Sequence, residues 1–109
     1  MVIDFASIEE KRFPHFKDGE GDTLFRMFTN ELGKIMLGRL EPGCSIGYHS
    51  HDTSSEIIYV MSGTADFLYD DGTETVSAGS CHYCPKGHSH SMRNFTGEDI
   101  VFFATVPEQ

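Results

Sequence analysis

Gly43-Cys44-Ser45-Ile46-Gly47-Tyr48-His49-Ser50-His51-Asp52-Thr53-Ser54-Ser55-Glu56 opens the stretch that decides how this chain folds, and His90 completes its chemistry. His49 and His51 are two residues apart, and in an extended strand side chains two apart share a face, so both can reach one ion. The interval from His51 to Glu56 is odd, so an unbroken strand would carry Glu56 to the opposite face. Asp52-Thr53-Ser54-Ser55 is turn chemistry throughout. A turn between two antiparallel strands would therefore return Glu56 to the side of the histidines, with His90 arriving from elsewhere as the sheet closes on itself. Three imidazoles and one carboxylate suit a divalent first-row metal and leave coordination positions free. His49, His51, Glu56 and His90 are the candidate ligands of one divalent transition metal per subunit, whether manganese, iron, nickel, copper or zinc; the bland alternative is four unrelated surface residues.

The glycines around these ligands carry a resemblance. Gly43 is followed by five residues, His49-Ser50-His51, four residues, Glu56, six residues and Gly63. From Gly79 the chain reads Gly79-Ser80-Cys81-His82-Tyr83-Cys84-Pro85-Lys86-Gly87-His88-Ser89-His90, and Asn94 follows after three more residues. These two stretches resemble the paired motifs of the cupin superfamily, and no motif position departs from the pattern. The resemblance implies an all-β fold, an antiparallel double-stranded β-helix of the jelly-roll type, with a metal inside the barrel. It implies the same four ligands, and structural roles for Asn94 and the motif glycines. It narrows function little, because cupins include dioxygenases, decarboxylases, isomerases, lyases, sensor domains and storage proteins.

Composition sets the outer bounds. A chain of 109 residues has room for one core, and the motif pair occurs once, so residues 1–109 are expected to be a single cupin domain with its motif core at 43–94. A net charge of −9, from 17 acidic and 8 basic residues, argues against nucleic acid and anionic membranes as partners. No apolar run is long enough to cross a membrane and no basic segment leads into an apolar one, so a cytoplasmic location is expected. Cys44, Cys81 and Cys84 are odd in number and are expected to be ordinary buried thiols. Cys81-His82-Tyr83-Cys84 has the spacing of a redox or zinc pair, but it has no second pair and leads into Pro85 rather than following a helix start.

Most of the chain reads as short strands. Residues 22–31 and 33–41 are rich in Phe, Met, Ile and Leu, and Pro42-Gly43 marks a turn. Residues 56–62, 64–69 and 100–106 are strands, and Asp70-Asp71-Gly72 is a hairpin turn. Residues 6–12 are the one helical segment, with Ser7 as a cap and Glu9-Glu10 in the first turn.

Face periodicity extends the reading to partners and ligand. Glu56, Ile58, Val60 and Ser62 share the interior face, yet Ile57, Tyr59 and Met61 on the other are apolar too. An antiparallel sheet facing water should alternate with polar residues, so a second subunit is expected to cover this face in a two-fold homodimer. The alternative cover is the N-terminal set Phe5, Ile8, Phe13 and Phe16. Ile46, Ile58, Val60, Met92 and aromatic residues of 24–28 and 100–103 are expected to line a pocket for a small molecule. Arg26, Arg39 and Arg93 are its candidate anion anchors. His88 shares parity with His90 and is a candidate proton carrier, as is Glu56 if the metal releases it. His15 and His82 are expected to face solvent or to be satisfied by backbone groups. Two classes of function stand open: a metal-dependent enzyme, of oxidoreductase or of isomerase and lyase type, and a non-catalytic module that binds or senses a metabolite or metal.

Overall fold

Alternation with period two runs through residues 56–62, where Glu56, Ile58 and Val60 are buried while Ile57, Tyr59 and Met61 face outward. The computed structural model describes all residues 1–109 and builds them into ten strands. These are β1 (Lys11–Pro14), β2 (Asp22–Asn30), β3 (Gly33–Leu40), β4 (Ser45–Ser50), β5 (Glu56–Ser62), β6 (Thr64–Tyr69), β7 (Gly72–Ser77), β8 (Cys81–Cys84), β9 (Ser89–Arg93) and β10 (Ile100–Pro107). Six of them form a sheet in the order β1-β2-β3-β10-β5-β8, and four form a second in the order β4-β9-β6-β7. Every pairing is antiparallel. This is the antiparallel double-stranded β-helix that the motifs imply. No helix is long and apolar enough to cross a membrane.

The inward faces of both sheets meet in one core that includes Phe25, Met36, Leu40, Ile58, Val60, Phe67, Met92 and Phe102. Phe25 and Phe102 stand edge to face with ring centroids 5.9 Å apart. Gly38 of β3 sits opposite Phe102 of β10, and a Cβ at that position would lie 2.2 Å from the Phe102 ring. The missing side chain lets the aromatic ring lie flat on the strand. The hairpin at Asp70-Asp71-Gly72 forms as its sequence requires, with Asp70 at φ 49° between β6 and β7. Asn94, fully buried, donates through Nδ2 to the carbonyls of Leu40 and Glu98, and its backbone N–H donates to Cys44. It thereby joins three chain segments at one end of the barrel.

Two local expectations are corrected. Residues 6–12 are not a helix. Only Phe5–Ser7 make a 3₁₀ turn, capped by Asp4 rather than Ser7, and Lys11–Pro14 pair with β2 as a strand. Arg26 takes up the carbonyls of Phe5 and Ile8, and Glu10 pairs with Arg39 at 2.9 Å, so tertiary partners outbid a short helix. The turn between His51 and Glu56 exists, but β4 and β5 lie in different sheets rather than side by side. The segment crosses from one sheet to the other, so Glu56 faces His51 across the barrel interior. His49 and His90, by contrast, are direct cross-strand partners on β4 and β9.

Candidate metal centre

His49, His51, Glu56 and His90 come together, and their ligand atoms all lie within 4.8 Å of one another. Glu56 Oε1 is 3.2 Å from His51 Nε2 and 3.0 Å from His90 Nε2, and the two Nε2 atoms are 3.0 Å apart. Donors bound to one ion at about 2.1 Å and at right angles stand about 3.0 Å apart, so these spacings fit a first-row metal. Burial excludes competing water: His90, His51 and Glu56 are nearly fully enclosed and His49 is half-buried.

Each imidazole is held from behind by its other nitrogen. His49 Nδ1 donates to the Gly47 carbonyl at 2.7 Å, His51 Nδ1 meets Ser54 Oγ at 3.0 Å, and His90 Nδ1 meets His82 Nε2 at 2.9 Å. With Nδ1 occupied in all three rings, the Nε2 lone pairs are the ones turned toward the cluster. The donor set therefore suits a divalent ion in both chemistry and orientation.

Protonation follows the same logic. Burial raises the Glu56 carboxyl, but the His51 and His90 side chains beside it outweigh that and hold the group at about 2. Burial pushes the His49 imidazole down to about 4, only partly offset by its bond to Gly47. Both groups are thus in the metal-binding form at neutral pH. Cys84 lies opposite Glu56 on β8, and burial, helped by the charge of Glu56, pushes its thiol up to about 11. It stays a protonated, fully buried thiol.

A cavity of about 380 Å³ opens over the cluster. His49, His51 and Glu56 form part of its wall, Phe16, Phe25, Met36, Ile46 and Val106 supply apolar surface, and Ser50, Thr53 and Ser54 supply hydroxyls. Its charged rim consists of Lys17, Lys34, Asp52 and Glu108. Of the expected lining, Ile46 and Phe25 are present, whereas Ile58, Val60, Met92 and Phe102 belong to the packed core. None of the three expected arginines borders the cavity. Arg39 is tied to Glu10 and Asp99, Arg26 to backbone carbonyls, and Arg93 lies over the Phe95 ring at 4.7 Å. Their strand faces place them outside, where acidic neighbours, backbone carbonyls or aromatic surface hold them.

His88 is half-exposed, bonded to Asp70 and stacked against Tyr69, and it is not among the residues that border the cavity. His15 is exposed and meets the Gly19 carbonyl, as expected. His82 corrects the expectation made for it, because it is fully buried and sits directly behind His90. Strand parity was the usable signal: β8 alternates, so a buried Cys84 places His82 inside as well. The same alternation puts Cys81 outside, exposed rather than buried, and leaves the two cysteines of the pair on opposite faces with no disulfide. Lys34 also escaped notice, although it shares the interior parity of Met36 and Leu40 on β3.

Comparison with known proteins supplies the family. The chain is 27% identical to a protein named "Oxalate-binding protein" from Thermotoga maritima, over 97% of this chain and 93% of that one. A crystal structure from the same organism, described as that of a predicted oxalate decarboxylase, superposes with a TM-score of 0.92 at 24% identity, with both chains fully covered. The cupin domain of Schizosaccharomyces pombe Cnp3 is similar in fold, with a TM-score of 0.80 at 11% identity over the whole of this chain and 70% of that one. A family model described as "Cupin domain" matches residues 36–106, which take in both histidine motifs and most of the barrel, and the chain belongs to the cupin family.

Proposed function

We propose that His49, His51, Glu56 and His90 hold one divalent transition metal, and that the cavity above it takes a small carboxylate anion of about the size of oxalate. The observation that carries this reading is the pairing of a metal-ligand cluster with two free cations. Lys17 and Lys34 border the cavity and neither takes part in an ion pair, in a chain whose net charge is −9. A bound ion supplies Lewis acidity toward one end of the anion. Lys34, on the interior face of β3, and Lys17, on the rim, are placed to meet the other end. Phe25, Met36 and Ile46 exclude water beside it, while Ser50 and Thr53 offer hydrogen bonds. Asp52 and Glu108 at the same rim disfavour larger anions with charge beyond the cavity mouth, which favours a short ligand.

The reading extends to chemistry on that anion, since three histidines and one carboxylate leave positions open for substrate. Simple binding is the second reading, supported by the name of the Thermotoga maritima relative. The whole chain acts as one cupin domain, and two copies pair through the outward face of β5 and β8. The test is calorimetric titration of oxalate into protein loaded with manganese, zinc or iron, with chemical analysis of the same samples for loss of oxalate. Saturable binding that falls at least tenfold in Lys34→Ala, and disappears in His51→Ala together with the metal, is the expected result. Oxalate consumption separates the enzyme from the binder. Metal uptake without any oxalate, malonate or formate binding would refute the carboxylate assignment, and no metal uptake would refute the centre.

A further inference from the structure

Behind the metal-facing side of His90 runs a chain of side chains that links the edges of the two sheets. His90 on β9 meets His82 on β8 through Nδ1 and Nε2 at 2.9 Å, and His82 Nδ1 meets Glu74 Oε1 on β7 at 2.7 Å. β8 is the edge of the six-stranded sheet and β7 the edge of the four-stranded one. His82 has no exposure, its ring stacks on Phe67 with centroids 4.0 Å apart, and Tyr69 presents an edge at 5.6 Å. The imidazole is clamped in orientation and makes both of its hydrogen bonds to side chains.

The direction of each bond follows from the one before. An ionised carboxylate can only accept, so His82 Nδ1–H donates to Glu74. A neutral His82 then has a lone pair only on Nε2, so it accepts from His90 Nδ1–H. His90, with its proton on Nδ1, has its lone pair on Nε2, the atom 3.0 Å from Glu56 Oε1. We propose that Glu74 and His82 are positioning residues for the metal centre: the Glu74 carboxylate sets the tautomer of His82, and His82 sets that of His90, so that His90 presents Nε2 to a divalent ion. Carboxylate–histidine pairs behind a metal ligand raise its basicity and fix its ring, and here a second imidazole is inserted between the two. The inference rests on the four-ligand reading above.

The test uses the 109-residue chain labelled with ¹⁵N-histidine, and zinc as a diamagnetic probe. Long-range ¹H–¹⁵N spectra of the zinc-loaded protein should show His82 and His90 each protonated on Nδ1. Competition with a chromophoric chelator should show Glu74→Leu weakening zinc binding roughly 10- to 100-fold. Glu74→Gln, whose amide oxygen still accepts from His82, should recover most of that loss. Glu74→Leu leaves the buried Nδ1–H of His82 unpaired and should lower the metal-free melting temperature, whereas Glu74→Gln, which keeps an acceptor there, should stay with the parent. A His82 protonated on Nε2, zinc binding within about twofold of the parent in Glu74→Leu, or a Glu74→Gln that melts with the parent yet binds zinc as weakly as Glu74→Leu would each overturn the proposal and leave the four-ligand centre standing. A parent chain that takes up no zinc would instead overturn the centre, and the proposal with it.

Discussion

At the scale of single residues, the centre is built from groups whose protonation burial has already decided, and this gives the metal-free protein a defined acid response. The His49 imidazole drops from 6.5 in the open chain to about 4 in the fold, because burial penalises its charged form. Between those values the unfolded chain binds the proton and the folded one does not, so stability falls as pH drops from 6.5 toward 4. The Glu56 carboxyl is depressed from 4.5 to about 2, so the stability it contributes is present above 4.5 and is lost as pH falls toward 2. Both slopes have the same sign, and His49 acts first. Urea unfolding of the metal-free chain should therefore show a midpoint that is flat near neutrality and declines through the His49 window, with His49→Gln shrinking that first decline and leaving the part that belongs to His82, whose imidazole burial also pushes down. A midpoint that rises on acidification would refute the burial assigned to His49. The four ligands were legible in sequence because a metal site needs several specific residue types in one frame. His82 was not, because a lone histidine shows nothing of its partners, and Glu74 reaches it only through the pairing of two sheet edges.

At the scale of elements, the turn over residues 15–19 decides the shape of the cavity mouth. His15, Lys17 and Asp18 all adopt left-handed backbone, with φ of 47°, 55° and 64°, a conformation that costs non-glycine residues energy and needs surrounding structure to hold it. That hold comes from two glycines crossing at van der Waals distance. A Cβ on Gly47 would lie 1.8 Å from the Lys17 carbonyl oxygen, and one on Gly19 would lie 2.0 Å from the Ser45 carbonyl oxygen. β4 thus presents its ligands on one side and seats the turn through Gly47, while Phe16 of the turn packs edge to face on Phe25 at 5.3 Å. Gly47→Ala should push the turn off the strand, costing about 1–3 kcal/mol of stability as overpacking does. It should also weaken carboxylate binding more than metal binding, because Phe16 and Lys17 leave the rim while His49 on β4 and His51 just beyond it stay in place. Chemical denaturation and parallel metal and oxalate titrations check this, and unchanged oxalate affinity would show that the turn takes no part in the mouth. Strands of period two and the Asp-Gly hairpin were legible because their signals are local. The 15–19 turn and residues 6–12 were not, since their conformation is set by contacts with β4, Arg26 and Arg39.

At the scale of the whole molecule, the outward face of the larger sheet remains apolar where water should meet it. Tyr83, Met61, Tyr59 and Ile57 on β8 and β5 are 54%, 50%, 41% and 37% exposed, and they lie on neighbouring strands at the sheet edge. The N-terminal aromatics do not cover them. Phe5 caps Phe103 on β10 with centroids 6.2 Å apart, while Phe13 and Phe16 turn to Phe25 on the inner side. Antiparallel sheets that face solvent alternate with polar residues, and a contiguous apolar patch of this kind marks an interface. A second copy would be a self-complementary occupant, because a two-fold axis normal to the patch would set Tyr59 and Met61 against their own counterparts. Sedimentation equilibrium should therefore give twice the chain mass of 12.2 kDa at micromolar concentrations. The double variant Tyr59→Glu, Met61→Glu should move the equilibrium to the single chain, since burying four carboxylates across a two-fold axis costs more than the apolar contact returns. These side chains point away from the metal centre, so metal stoichiometry should be unchanged in that variant. A parent chain that sediments at 12.2 kDa across the whole concentration range would remove the homodimer and leave the patch for another partner.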